Sequence, residues 1–344
     1  LSRLADPDRE RCVLRRSHDR EEARVRVSRR TPVRWTIPAA AAAAAAALGA
    51  SLLAAPADAA TTASTTTSGR TAAAVPTATT PSYVLAPVRI TSTKLARKPP
   101  ALYKPITLYP RAGIGEIKLK AGRDYRIVLP RTKAWVNTEG LWITGGRNVV
   151  VRGGTVDVRG GVMKNGKLQK RAAYFRDTTG TVFVEGIRFM SSTKRLTEGI
   201  NVSLPGATLV LQNIRISTLL AGSQSTNHAD AIQAWGGPKH LFVDGFVATT
   251  QYQGLFLTPN QHESAAVGTY DLRRVYIRGQ KAAYLLWRVG SFPTRTSQVY
   301  ISGSTRQYSG MWPNRSAWPY VKVGQPPVVF AKYAGYGYRT PGYL

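Results

Sequence analysis

Cysteine is almost missing from this chain: Cys12 is the single one in 344 residues. That excludes a disulfide framework, a thiolate metal site and a cysteine nucleophile in the body of the chain. Acidic residues are scarce as well, 18 Asp and Glu against 48 Lys and Arg, for a formal net charge of +30. This balance excludes an acidic intracellular enzyme of ordinary composition and directs attention to anionic partners. No nucleic-acid recognition motif accompanies the charge, so no specific nucleic-acid partner is expected. A heptad or other trimerising segment is also lacking, and a monomer is expected. Apolar residues are not scarce: 43% are hydrophobic and 9% aromatic. That is enough to bury a core and excludes global disorder.

There is one long hydrophobic run, and it lies near the start. Residues 1–27 mix eight basic with six acidic residues without an apolar period. They read as a charged extension, part of a disordered leader. Residues 28–59 read as an export signal peptide. Ser28, Arg29 and Arg30 open a basic stretch ending at Arg34, an Ala and Leu run follows from Ile37 to Ala57, and Ala57-Asp58-Ala59 places small residues before a cut at Ala60. The run has about the length of a membrane span, but the cleavage-like residues favour export, with no membrane attachment afterwards. Val27 as an alternative start gives the signal an ordinary length. The paired arginines resemble a twin-arginine signal, whereas Pro32 and Val33 depart from that pattern, so twin-arginine and Sec export both stay open. Either route gives a secreted, extracellular protein. Without its first 59 residues the chain keeps 37 basic against 11 acidic residues. Residues 60–100, rich in Thr, Ala, Ser and Pro, have the composition of a linker that cannot bury enough apolar surface to order itself.

From residue 101 to 305 the sequence repeats. Apolar residues alternate, a polar residue and a corner residue intervene, and alternation resumes out of phase. Four strict copies are Val182, Val184, Gly186, Ile187, Phe189; Leu209, Leu211, Asn213, Ile214, Ile216; Leu241, Val243, Gly245, Phe246, Ala248; and Tyr270, Leu272, Arg274, Val275, Ile277. Looser copies centre on Gly153 and Gly303, so the corners fall 33, 27, 32, 29 and 29 residues apart. That is the period of a solenoid. Strict alternation means strands with one buried face, and one left-handed corner residue makes an L-shaped bend where a hairpin would need two or more turn residues. Gly or Asn fills five of the six corners; Arg274 is the exception and is expected to be strained or differently bent. The residues before the corners, Arg152, Glu185, Gln212, Asp244, Arg273 and Ser302, are all polar and are expected to face solvent. A third alternating segment leads each copy: Ala173 and Phe175, Ile200 and Val202, Ile232 and Ala234, Leu255 and Leu257, Tyr284 and Leu286. Three short strands per turn, stacked over six or seven rungs, predict a parallel β-helix.

With Asp230-Ala-Ile-Gln-Ala-Trp-Gly-Gly followed by His240-Leu-Phe-Val-Asp-Gly, the chain resembles the pectin-lyase-like right-handed parallel β-helix superfamily over about residues 120–305. The resemblance implies an all-β, right-handed, single-stranded solenoid. It leaves the chemistry open, because that superfamily includes lyases, hydrolases, epimerases and adhesins without catalytic activity. Residues 306–344 carry Trp312-Pro313, Trp318-Pro319 and six tyrosines. They are expected to form an irregular aromatic tail over the last coil.

On the strand leading each coil, the residues between core positions face outward and stack into one strip: Tyr174 and Arg176, Asn201 and Ser203, Gln233 and Trp235, Phe256 and Thr258. Rings interleaved with amides and guanidinium groups suit an extended acidic polysaccharide. The long segments 159–172 and 218–230 are expected to wall this strip, the first carrying Lys164, Lys167, Lys170 and Arg171. His228 and Asp230, two apart at a strand entry, are the best candidate acid/base pair. Hydrolysis is disfavoured, since paired carboxyl groups flanking a glycosidic bond are wanting. A calcium site needs several carboxylates on the strip, where only Asp177, Glu198 and Asp230 fall, so no metal or other cofactor is expected. β-Elimination on a uronate asks for less: a group to neutralise the substrate carboxylate, from Arg176, Asn201 or Gln233, and a base, from His228, Lys170, Arg171 or Lys281. Expected sites are therefore His228, Asp230 and Arg176 for catalysis, with Tyr174, Asn201, Gln233, Trp235, Phe256, Lys170 and Arg171 for binding. The rival class is a polysaccharide- or cell-wall-binding β-helix without activity.

Overall fold

The computed structural model describes residues 81–160, 171–193, 196–221, 228–262, 266–280 and 284–327. The expected extension and signal, and the first part of the expected linker, lie outside these residues. Nineteen strands occur among the described residues. They are β1 (Val84–Leu85), β2 (Ile106–Leu108), β3 (Glu116–Leu119), β4 (Tyr125–Val128), β5 (Trp135–Asn137), β6 (Leu141–Gly145) and β7 (Val149–Val158). Next come β8 (Arg171–Arg176), β9 (Thr181–Met190), β10 (Glu198–Ser203), β11 (Thr208–Leu219), β12 (Ile232–Gly236) and β13 (His240–Thr250). The last are β14 (Leu255–Leu257), β15 (Tyr270–Gly279), β16 (Leu286–Arg288), β17 (Thr294–Ser302), β18 (Met311–Trp312) and β19 (Val321–Val323).

Every strand-to-strand pairing is parallel, and the strands form two sheets. From β6 onward the chain alternates between them, even-numbered strands in an eight-stranded sheet and odd-numbered ones in an eleven-stranded sheet. Each return to a sheet lies next to the strand laid down one circuit earlier, the all-β arrangement of a parallel β-helix. The arms on either side of a corner run as one bent strand, so a coil has two named strands where three were expected. The coiling also outruns the expected 101–305. β18 pairs with β16 and β19 with β17, so the first half of the supposed irregular tail adds one more level.

The core follows from alternation. Ile143, Phe175, Val202, Ala234 and Leu257 stack in register inside the eight-stranded sheet, and all are fully buried. Burying such a side chain stabilises by roughly 1.5–3 kcal/mol. One rung higher the register puts Arg288, not an apolar residue, on this column. Tyr284 and Leu286 are therefore not the inward pair; Leu286 and Arg288 are. Arg288 is 2% exposed. It donates to the Phe292 carbonyl at 2.6 Å and lies against the rings of Tyr83, Phe292 and Trp318. Burial pulls its pKa down to about 10.

Five of the six expected corners are left-handed residues at a bend: Gly153 (φ 62°), Gly186 (72°), Asn213 (51°), Gly245 (73°) and Arg274 (47°); Gly303 is left-handed too (79°) but lies past the bend. The sixth is not Gly303. Val275 pairs with Val299, which places Gln298 (φ 55°) at the bend. Gly303 closes the strand where a Cβ would stand 2.2 Å from the Gly279 carbonyl oxygen.

The residues before the corners do not face solvent as expected. Gln212 is 0% and Asp244 2% exposed, because residues 84–103 run down the outside of the corner column. β1 pairs with β17. Below it the Val88 amide donates to Ser297 Oγ (2.9 Å), Ala96 to Asp244 Oδ2 (2.7 Å), Arg97 to Gln212 Oε1 (2.8 Å) and Tyr103 to Asp124 Oδ2 (2.7 Å). The end of the expected linker is thus a strap. It orders through the body's buried acceptors, together with Leu95, which is buried, and Leu102, which packs against Val150, Phe183 and Val210. Arg274 tolerates the bend because its guanidinium binds Asp244 one coil below (2.6 Å) and the carbonyls of Ser92, Thr93 and Lys94 on the strap.

Candidate functional site

Parallel register lines up one outward position per rung of the eight-stranded sheet. The column reads Trp142, Tyr174, Asn201, Gln233, Phe256, Trp287, Trp312. Amides hold the centre and rings hold both ends. At the lower end Trp142 and Tyr174 have centroids 5.6 Å apart, and Trp235 meets Tyr174 edge-on at 5.8 Å and His262 at 6.3 Å. Trp235 reaches there from outside the column, because the register shifts between Val202 and Ser203. At the upper end Trp287 stacks on Trp312 (4.9 Å, 17°), Phe256 lies 6.0 Å below Trp287, and Tyr284 packs edge-on against both tryptophans. Trp142, Tyr284, Trp287 and Trp312 escaped the sequence reading. Carrying the alternation one rung below Tyr174 and two rungs above Phe256 would have found three of them; Tyr284 was hidden by its false assignment to the core.

A connected polar set fills the centre. Arg171 Nε donates to Glu198 Oε2 (2.6 Å), on the neighbouring strand. Asn201 Nδ2 donates to the same Glu198 oxygen and to Gln233 Oε1, both at 3.2 Å. Gln233 Nε2 faces His228 Nδ1 at 3.4 Å, and the imidazole stacks on Tyr252 with centroids 5.5 Å apart. With the Gln233 oxygen occupied by Asn201, its NH2 points at His228, so Nδ1 accepts and the ring hydrogen stands on Nε2. Glu198, which the sequence reading noted only in passing, therefore anchors a relay that ends at an exposed histidine.

Asp230 does not join this relay. It is 1% exposed, and among the described residues neither of its carboxyl oxygens has a hydrogen-bond partner. The expected His228–Asp230 hydrogen bond is not formed. Burial, and then the charge of Glu198, raises the Asp230 pKa well above the carboxylate range. Burial likewise raises Tyr252, which keeps its phenol protonated. Arg176 also stands apart: it pairs with Asp177 (2.9 Å) and lies 5.9 Å from the Tyr174 ring. Asn201 and Gln233 share the expected column, but they are 1% and 9% exposed, so the strip is not open across its middle. Lys170, Lys281 and most of the two expected walls lie outside the described residues. Among the described residues no three His, Cys, Asp or Glu side chains cluster as metal ligands, and no helix is long and apolar enough to cross a membrane.

No protein-family model, curated protein or solved structure matches the chain.

Proposed function

We propose that this is an exported, carbohydrate-active β-helix protein that binds an acidic polysaccharide along the eight-stranded sheet and cleaves it by β-elimination. The observation that carries the reading is the outward column, with rings at both ends and an amide, guanidinium and imidazole set between them. Sugar faces stack on rings, and a uronate needs donors where the bond is cut. The pectin-lyase-like superfamily is the kind it most resembles, and right-handed coiling is the sense that parallel crossovers overwhelmingly adopt. The excess of basic residues fits an anionic polymer, and the Arg-rich, Ala-rich segment at 28–59 fits secretion.

In the proposed step Arg171 and Gln233 bind the substrate carboxylate. Drawing the Gln233 amide toward the substrate releases His228 Nδ1, whose lone pair removes the proton beside the carboxylate. The carbon–hydrogen electron pair becomes the new carbon–carbon double bond, the bond to the leaving sugar oxygen breaks, and the Tyr252 phenol supplies that oxygen's proton. Incubation with polygalacturonate, alginate, hyaluronan and heparin should give the ultraviolet absorption of an unsaturated uronate with at least one of them. His228→Ala should abolish it while leaving binding intact. Binding without any such absorption across the panel would refute the chemistry.

One observation favours the alternative, a polysaccharide binder without activity: Asn201 and Gln233 are buried. On that reading the two aromatic clusters hold the glycan and the centre never meets it. Binding would then depend weakly on salt, whereas uronate recognition by Arg171 should weaken steeply as salt is added.

A further inference from the structure

The strap and the eleven-stranded sheet bring three guanidinium groups to one carboxylate oxygen. Asp271 is 2% exposed. Its Oδ2 lies 2.6 Å from Arg273 Nη2, 3.6 Å from Arg97 Nη2 and 3.6 Å from Arg295 Nη1. Arg273 alone makes hydrogen bonds to it; the other two stand beyond hydrogen-bond reach. Arg295 spends its Nε on the Ala86 carbonyl of the strap (3.0 Å). Arg97 lies flat, 3.7 Å over the Phe242 ring. The nearby Asp244 is already taken by Arg274, at 2.6 Å. Lys239 adds to the positive field, whereas burial, Lys239 and Arg97 hold His240 below its ordinary pKa and so favour its uncharged form. Three cations thus meet one carboxylate, with an excess of two positive charges. Folding does not demand such an excess, since like charges at a partly desolvated site repel.

We propose that Arg97, Arg273 and Arg295 form a binding site for a doubly charged oxyanion, a phosphate or sulfate group, that bridges the strap to the eleven-stranded sheet. Planar guanidinium forks match tetrahedral oxyanions with two hydrogen bonds each. The site lies on the sheet opposite the aromatic column, so it stands whether or not the chain cleaves a polysaccharide. Because Arg97 and Ala86 belong to the strap, a bound anion also ties the strap down, and binding should raise the melting temperature.

The test is calorimetric titration and thermal melting of the full chain with sodium phosphate and sodium sulfate, at ionic strength held constant with chloride. Saturable one-site binding with a matching rise in melting temperature is expected. Arg97→Gln and Arg295→Gln should each weaken it at least tenfold, while Arg126→Gln, which removes an equal charge from another rung, should leave it unchanged. Asp271→Asn should tighten binding, since it removes the internal competitor; if that variant is less stable, its melting temperature should gain more from phosphate than the parent's does. Arg295→Lys keeps the charge without the fork and should bind more weakly. A sugar phosphate, whose monoester keeps nearly two negative charges at pH 7, beside inorganic phosphate separates a carrier-borne group from a free ion: competition for the one site is expected of the first, indifference of the second. No saturable binding, an equal loss in Arg126→Gln, or weaker binding in folded Asp271→Asn would each overturn the site.

Discussion

Two columns of buried polar residues run along this molecule, and folding accounts for only one of them. At the corners Gln212, Asp244 and Arg274 all find partners, supplied by the strap and by the coil below. At the centre of the eight-stranded sheet, Asp230 is buried with both carboxyl oxygens unpartnered among the described residues, beside a relay that reaches an exposed histidine. A satisfied polar ladder specifies packing, whereas an unsatisfied carboxyl group is a cost that structure alone does not repay. The contrast teaches that burial of polar groups is not by itself a sign of function in this fold; individual atoms go without hydrogen bonds elsewhere, as at Arg152 Nε and Arg288 Nη1, but at Asp230 the whole carboxyl group does.

The sharpest way to break the contrast is Asp244→Ala. It strips a buried guanidinium of its carboxylate and the Ala96 amide of its acceptor. Removing one partner of a buried pair costs about 3–5 kcal/mol. Chemical denaturation should show a loss of that order; one below about 1 kcal/mol would mean that the corner column tolerates unpaired charge, and the distinction would fall.

Asp124, a buried acceptor of the strap outside the corner column, and Asp230 should respond to pH with opposite sign. The hydrogen bonds from Arg147, with help from the Tyr103 and Asn148 amides, hold Asp124 well below the carboxylate range. Its contribution is present above the unfolded value and is lost as pH falls through the lowered one. Asp230 is raised, so its contribution is full below the unfolded value, about 3.9, and is lost as pH climbs through the raised one. Asp230→Asn should flatten the fall in melting temperature that sets in as pH rises above about 3.9 and leave the plot below that pH as it was. The slope it removes is at most about 1.4 kcal/mol per pH unit. An unchanged slope above that pH would mean that Asp230 stays in one protonation state throughout.

Much of this fold was legible because alternation and a single bend residue are local signals. The stacking of Tyr174, Asn201, Gln233 and Phe256 in one column follows from them directly. What escaped depends on partners far along the chain. A Thr- and Pro-rich segment showed no apolar pattern, yet it docks because buried Gln212 and Asp244 need its amides. Arg288 occupies an inward place that an apolar pattern cannot anticipate, since the distant rings of Tyr83 and Trp318 receive it together with that of nearby Phe292. The corner at Gln298 was hidden by Gly303, a better-looking residue that serves a close approach to Gly279. In the site, the spacing of His228 and Asp230 placed them near one another but not their side chains, one of which turns inward and the other toward Gln233.

A gentler probe bears on the aromatic ends of the functional column. Trp287 stacks on Trp312 and touches Phe256 and Tyr284, yet it lies outside the core. Trp287→Ala should therefore weaken polysaccharide binding about tenfold, roughly the worth of one ring stack, with a smaller effect on unfolding than Asp244→Ala. Equal loss of both would make the upper cluster a packing device for the last coil.

The smallest expected effect separates the corners from one another. Gln298 and Arg274 are both non-glycine residues in the left-handed region, at φ 55° and 47°. That conformation costs a residue with a Cβ roughly 1–2 kcal/mol, part of which a glycine returns through its greater freedom in the unfolded chain. Gln298 is exposed, so Gln298→Gly should stabilise by about 0.5–1 kcal/mol. At Arg274 the same relief is available, but the side chain holds Asp244 and three strap carbonyls. Arg274→Gly should therefore destabilise, despite removing a comparable strain. If the two substitutions moved stability in the same direction, backbone strain would govern the corners and the strap would be incidental to them. Opposite signs would place the anchoring of the strap above the geometry of the bend.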